Sequence, residues 1–343
     1  MKAIVYNSEW DIKLEERPVP TITKSNQVLV KIKATGICGT DLGIISGKYQ
    51  ASTSVILGHE SAGEVFQVGE EVSNLKIGDR VVIDPTYYCG NCNMCRTGRQ
   101  NHCEYKGVTE TGVSSDGTFT DFYVTEERFL YKLADHVTYE EATMTEPLSC
   151  VLTGINQVKF LPNYRTIVLG SGPMGMLYAH ALASKGILGA IVEISDARLD
   201  YASNIAPVGW TLHKYIDEAV NQLSPKEKLV DFIVDTTGVM ATKSINVLQK
   251  GGSLLLVGLR DGEATFNPKY IVDRSITILG SIDSLGTFST AHYMIEKQII
   301  PTKKLISHVL PLENFNEALA VLGLDIENKQ LLSSAKAMKV IIQ

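Results

Sequence analysis

RTIVLGSGPMGMLYAHALASKGILGAIVEIS, Arg165 to Ser195, is the stretch on which the reading of the chain turns. It runs strand, glycine-rich turn, helix, strand. Thr166 to Leu169 is a short buried strand. Gly170, Gly172 and Gly175 then form G-x-G-x-x-G, with Pro173 and Met174 filling the gap at the start of the helix. That spacing allows a tight turn, close approach of backbone to a pyrophosphate and close helix–strand packing. The helix N-terminus adds unpaired N–H groups and the positive end of its dipole. The second strand ends at Glu193, about twenty residues past the glycines, where a carboxylate holds the ribose hydroxyls of a dinucleotide. A carboxylate there repels a 2′-phosphate, so NAD is favoured over NADP. Arg198 argues the other way, because an arginine accommodates that phosphate, but it falls inside the next helix.

The same rhythm continues downstream. KYIDEAVNQL is an amphipathic helix and LVDFIVDTTG a strand with a glycine turn. ATKSINVLQKGG reads as a helix stopped by glycine, and SLLLVGL and SITILGSI as buried strands. Strands alternating with helices predict an α/β, doubly wound parallel sheet over residues 151–287. Residues 1–150 read differently. Short alternating runs such as QVLVKIKATG, SAGEVFQVG and FTDFYVT, punctuated by Gly and Pro, predict a mostly-β, partly open barrel. Residues 288–343 carry a helix, NFNEALAVLG, and a last alternating strand, AMKVIIQ, which is expected to pack back on the first domain.

At 343 residues, two domains are the natural expectation. Hydrophobic content of 44% with 20% charged residues is that of a folded globular chain. The net charge is −6 and no basic tract is present, which argues against nucleic acid as a partner. No basic-then-apolar leader opens the chain, and the most apolar stretch contains Gly, Pro, Ser and His, so a membrane span is not expected. The cytoplasm, with its reduced thiols, is the expected compartment.

That expectation bears on the cysteines. Four of the six lie in CGNCNMCRTGRQNHC, at Cys89, Cys92, Cys95 and Cys103. Four thiolates at this spacing fit a closed tetrahedral zinc site, with an iron–sulfur cluster as the alternative. A closed site has no position for substrate, so this is a structural clamp. His102 reads as a loop residue there, and Cys150 as a small buried apolar residue.

Reactive metal chemistry needs other ligands. GICGTD carries Cys38, LGHESAGEV carries His59 and Glu60, and TEPLS carries Glu146. Cys, His and carboxylate are the donors of open catalytic zinc sites. Singly, each has an ordinary reading: a core cysteine, a hydrogen-bonded histidine, an acid in the first turn of a helix. Asp41 reads as a turn residue.

Taken together, GICGTD, LGHESAGEV, the four-cysteine lobe and VLGSGPMG resemble the zinc-dependent medium-chain dehydrogenases of the alcohol dehydrogenase superfamily, along essentially the whole chain. TEPLS is similar to the sorbitol, or polyol, dehydrogenase branch. The resemblance implies a GroES-like catalytic domain plus a Rossmann domain, an active site between them, and a homodimer or homotetramer. It implies two zinc ions per chain, NAD as cofactor and a small polyhydroxylated substrate. Cys38 and His59 would bind the catalytic zinc, with Glu60 as third ligand and Glu146 ligating directly or through water. Thr40 resembles the family's proton-relay hydroxyl. Many relatives have a histidine where this chain has Gly43, so the relay must differ. Threonine or a simple secondary alcohol is the alternative substrate. Members that lost catalytic zinc supply a non-catalytic alternative.

Overall fold

The computed structural model describes residues 1–161, 163–260, 262–332 and 337–343. The chain divides into two compact units. One joins Met1–Ser149 to Ser284–Gln343, and the other is Cys150–Asp283.

In the first unit the early strands are β1 (Lys2–Ser8), β2 (Asp11–Glu16), β3 (Gln27–Gly36), β4 (Val55–Ile56), β5 (Glu60–Val68), β6 (Arg80–Ile83), β7 (Phe122–Glu126) and β8 (Leu130–Lys132). The second unit holds β9 (Thr166–Leu169), β10 (Gly189–Val192), β11 (Thr211–His213), β12 (Val230–Asp235), β13 (Leu248–Leu256) and β14 (Thr277–Gly280). The chain then returns to the first unit with β15 (Ile306–Leu310), β16 (Leu324–Asp325), β17 (Gln330–Leu331) and β18 (Lys339–Ile342).

The first unit is built on a seven-stranded sheet in the order β15-β18-β3-β5-β6-β8, with β7 also on β3, and on a three-stranded sheet β2-β1-β4. Two features place the functional loops. β3 and β5 pair antiparallel with Gly36 opposite Glu60, so the residues after β3 and those before β5 emerge side by side. β18 lies on the other side of β3, with Ile341 opposite Gly36. The last strand of the chain is therefore inserted next to the strand that leads into Cys38. Its four residues are all buried, and Val340 and Ile342 pack with Ile44, Leu57, Phe119 and Phe315 in one apolar cluster.

The second unit is a six-stranded parallel sheet in the order β11-β10-β9-β12-β13-β14. β9, β10 and β12 are buried at every residue, as strands covered on both faces are. The fold class is thus α/β, with one mostly-β unit and one doubly wound parallel sheet. One local expectation fails. The helix in ATKSINVLQKGG ends at Asn246, and β13 begins at Leu248. Leu248 pairs with Val230, and the register shifts before Phe232 meets Ser253. Gly251, at φ +77°, turns the chain inside that irregularity, so the glycines serve a strand distortion and not a helix stop.

Candidate active site

Cys38 sits two residues beyond β3, in extended conformation, as the N-cap of the helix Gly39–Ile45. Its N–H donates to Asp41 Oδ2 at 2.8 Å, which fixes the turn. His59 immediately precedes β5 and Glu60 is its first residue. The β3–β5 register does the rest. Cys38 Sγ, an imidazole nitrogen of His59 and a carboxylate oxygen of Glu60 lie within 4.8 Å of one another. Thr40 Oγ1 is 3.7 Å from Cys38 Sγ. Glu146, in the first turn of the helix Thr145–Ile155, is buried and stands outside this three-residue group, though its charge is felt at both His59 and Lys339.

The surroundings suit a cation. Burial lowers the His59 pKa, but the charges of Cys38, Asp41 and Glu146 reverse this and hold it well above its ordinary value. His59 Nδ1 faces Asp41 Oδ1 at 3.9 Å. Both atoms are buried and neither has a hydrogen-bond partner among the described residues. A carboxylate beside the second ring nitrogen is what a metal-binding histidine requires, because it fixes the tautomer and strengthens the other nitrogen as a donor. We propose that Asp41 orients His59 as well as closing the turn. The Asp41→Asn enzyme is expected to lose about 10- to 100-fold in metal affinity or turnover, read from zinc titration and initial rates, with the fold unchanged.

The sequence reading missed Lys339. This lysine of β18 is 2% exposed and Glu60 1% exposed. Its ammonium pairs with Glu60 Oε2 and donates to the Ile37 carbonyl at 2.9 Å. Burial pulls its pKa down, but Glu60, Cys38 and Glu146 raise it overall, so it stays charged. The available signal was a lone lysine inside an otherwise apolar strand.

The four cysteines of the lobe also converge, each with its sulfur within 4.8 Å of the others, and none is in a disulfide. Cys89 Sγ and Cys95 Sγ are 3.9 Å apart, and Cys92 Sγ and Cys103 Sγ 4.0 Å. Tetrahedral thiolates with bonds near 2.3 Å stand about 3.8 Å apart, so the donor set fits a single zinc. Backbone N–H groups of Cys89, Asn91, Cys92 and Cys95 point at sulfur. Those of Glu104 and Cys95 bring the Cys92 thiol down to about 6, while burial pushes Cys95 up to about 12. Crowded thiols ionise unequally in this way. Arg128 anchors the lobe, donating to the Tyr88 carbonyl at 2.8 Å while its guanidinium lies 4.8 Å from the Tyr88 ring.

In the second unit Gly170 takes φ +93°, and a Cβ on Gly175 would collide with the Gly170 carbonyl. Gly172 caps the helix Pro173–Ser184, with Pro173 and Met174 in its first turn. The turn is thus stripped of side chains where a pyrophosphate must approach. Glu193 follows β10 and is buried. Its Oε2 accepts from the Ser171 N–H at 3.0 Å and the Ser171 hydroxyl at 3.2 Å, and Oε1 from the Ser195 N–H at 2.9 Å. Arg198 lies in the helix Asp196–Ser203 and its N–H faces Ser195 Oγ at 3.5 Å.

Comparison with known proteins identifies the family. Residues 24–135 match the alcohol dehydrogenase GroES-like domain, and residues 140–328 the glucose dehydrogenase C-terminus. The chain is 31% identical to a sorbitol dehydrogenase of Bombyx mori, covering 99% of this chain and 97% of the relative. It is 30% identical to D-xylulose reductase A of Aspergillus oryzae, covering 90% and 89%. The crystal structure of 2R,3R-butanediol dehydrogenase from Bacillus subtilis superposes with a TM-score of 0.85 at 26% identity, over 100% of this chain and 99% of that one. The chain belongs to the zinc-dependent medium-chain dehydrogenases, in the sorbitol dehydrogenase-like branch of the alcohol dehydrogenase superfamily, and is an oxidoreductase acting on CH–OH groups.

Proposed function

We propose that this enzyme transfers hydride between a secondary alcohol of a polyol, cyclitol or aminocyclitol and NAD, using one catalytic and one structural zinc per chain. The observation that carries the reading is the convergence of Cys38, His59 and Glu60, with the buried carboxyl groups of Asp41 and Glu146 in the same unit. Three protein donors leave a fourth position open for substrate. A carboxylate-bearing site suits a vicinal diol, and the relatives named above are, by name, enzymes of sorbitol and D-xylulose.

Zinc held there supplies Lewis acidity that lowers the pKa of a substrate hydroxyl. Cys38, His59 and Glu60 fix where that hydroxyl sits. Thr40, beside Cys38, is placed to receive its proton. Gly43 offers no side chain to carry the proton onward, so the route continues through water or a carboxylate. The turn at Gly170–Gly175 takes the pyrophosphate of the dinucleotide on free N–H groups, and Glu193 takes the ribose hydroxyls. That carboxylate favours NAD over NADP.

The test is metal content per chain together with NAD reduction on a panel of polyols, cyclitols and aminocyclitols. Two zincs and turnover on one class are expected. Two zincs with turnover only on threonine or a simple alcohol would overturn the substrate assignment. One zinc would overturn the catalytic site. The lobe has its own prediction. Cys92→Ala should lose one zinc and unfold at a temperature lower by roughly 10 °C or more, since a structural zinc contributes on the order of 10 kcal/mol and each kcal/mol moves a domain of this size about 2–4 °C. Calorimetry with metal analysis checks it.

The chain is read as a cytoplasmic homodimer or homotetramer. Six free cysteines suit a reducing compartment, and no helix among the described residues is long and apolar enough to cross a membrane. Support for self-association comes from β14. It is the last strand of its sheet and pairs with β13 alone among the described residues. Val272 before it is 78% exposed and Ile282 after it 36%. An open strand edge flanked by apolar side chains is a template for a second copy.

A further inference from the structure

We propose that Ser171, the residue between the first two glycines of the turn, is a positioning residue that holds Glu193 in the conformation that recognises ribose and refuses a 2′-phosphate. The inference rests on the reading of Glu193 as the ribose-binding acid. Ser171 is fully buried, so its hydroxyl is not there for solvent. Both its N–H and its hydroxyl donate to the same oxygen, Glu193 Oε2, at 3.0 and 3.2 Å. The hydroxyl also lies 3.4 Å from the Arg198 carbonyl, but one proton serves one acceptor well, and the charged one is stronger. The Ser195 N–H holds Oε1 at 2.9 Å.

Three donors from two loops therefore fix the carboxylate before any cofactor arrives. The glycine-turn spacing needs no hydroxyl at position 171, because its requirements fall on Gly170, Gly172 and Gly175. The backbone N–H of residue 171 survives any side chain, and the Ser195 N–H is independent of it. The hydroxyl is the one donor set by the choice of serine. Its charge-assisted bond removes rotamer freedom from Glu193, so less ordering remains to be done when ribose binds. It also keeps the negative charge at the mouth of the turn, where a 2′-phosphate would have to displace it.

The experiment is fluorescence titration of NADH and NADPH on Ser171→Ala, Ser171→Cys, Glu193→Gln and the Ser171→Ala/Glu193→Gln double variant, each as the full zinc-loaded chain. Ser171→Ala should weaken NADH by about three- to tenfold and narrow the NADH-to-NADPH preference. Ser171→Cys keeps the shape with only a weak donor and should behave like the alanine variant, which guards against a cavity artefact. In the Glu193→Gln background the alanine substitution should add little. If Glu193→Gln weakens NADH but Ser171→Ala binds as wild type, this inference alone is overturned. An equal loss on both backgrounds overturns it too, since the serine would then act on the turn and not on the acid. Wild-type affinity in Glu193→Gln removes the ribose-binding reading itself.

Discussion

His59→Ala is expected to abolish turnover, by roughly 10³-fold or more, while leaving the fold and the cysteine lobe intact. The reasoning starts from the donor set. Removing the imidazole leaves Cys38 and Glu60, and two donors do not hold zinc against water and chelators as three do. Without the metal a substrate hydroxyl keeps its solution pKa, and metal binding is worth several pKa units to a bound oxygen. Even part of that difference exceeds three orders of magnitude in rate. The side chain is only 12% exposed, so its removal leaves a cavity, but its Nδ1 has no hydrogen bond to lose among the described residues. Zinc content should fall from two ions per chain to one, with the thermal transition near that of the wild type. A variant that keeps both zincs and its activity would remove His59 from the site. A variant that loses both zincs would show that the lobe and the Cys38 site do not bind metal independently.

The contrast between what the sequence disclosed and what it hid follows from where each signal is stored. The Gly170–Gly175 turn is local. Its requirements fall within a few residues, and the strand before it and helix after it are readable by period. The cysteine lobe is local too, with all four sulfurs inside fifteen residues. The proposed catalytic group is different. Cys38 and His59 lie on separate loops, and only the register that sets Gly36 opposite Glu60 joins them. Residue type could suggest the grouping, but no periodicity in either segment specifies it. Lys339 was the hardest to see. It is 279 residues from Glu60, and an alternating strand that ends a chain gives no hint that its one charged residue points inward. Asp41 was visible as a turn residue. The second role proposed for it depends on His59 Nδ1 being 3.9 Å away, which sequence cannot state. The misread helix at ATKSINVLQKGG has a similar origin. Its propensity runs through Lys250, but pairing of Leu248 with Val230 overrides it.

Lys339→Met is expected to destabilise the metal-free protein by about 3–5 kcal/mol, the cost of leaving a buried carboxylate without its partner. The isosteric side chain fills the space, so the loss is electrostatic. The same argument applies from the other side to Gly36. A Cβ there would run into Glu60 Oε2 and stand 2.9 Å from Lys339 Cε, so glycine at that position makes room for the ion pair. What zinc does to the Lys339→Met penalty separates the two carboxylates. If Glu60 is a metal ligand, bound zinc supplies positive charge in place of the missing ammonium. The variant should then lose clearly less stability in its zinc-loaded form than in its metal-free form. Urea unfolding of the two forms, wild type against variant, gives both differences. Glu60→Gln in the Lys339→Met background should recover part of the metal-free loss, because a neutral amide needs no cation. An equal penalty in both forms would mean that the Lys339–Glu60 pair is structural only, and that the third ligand is Glu146. The outcome thus decides how β18 contributes to the centre, as a strand that tunes a zinc ligand or as one that only fastens the loop before Cys38 through the Ile37 carbonyl.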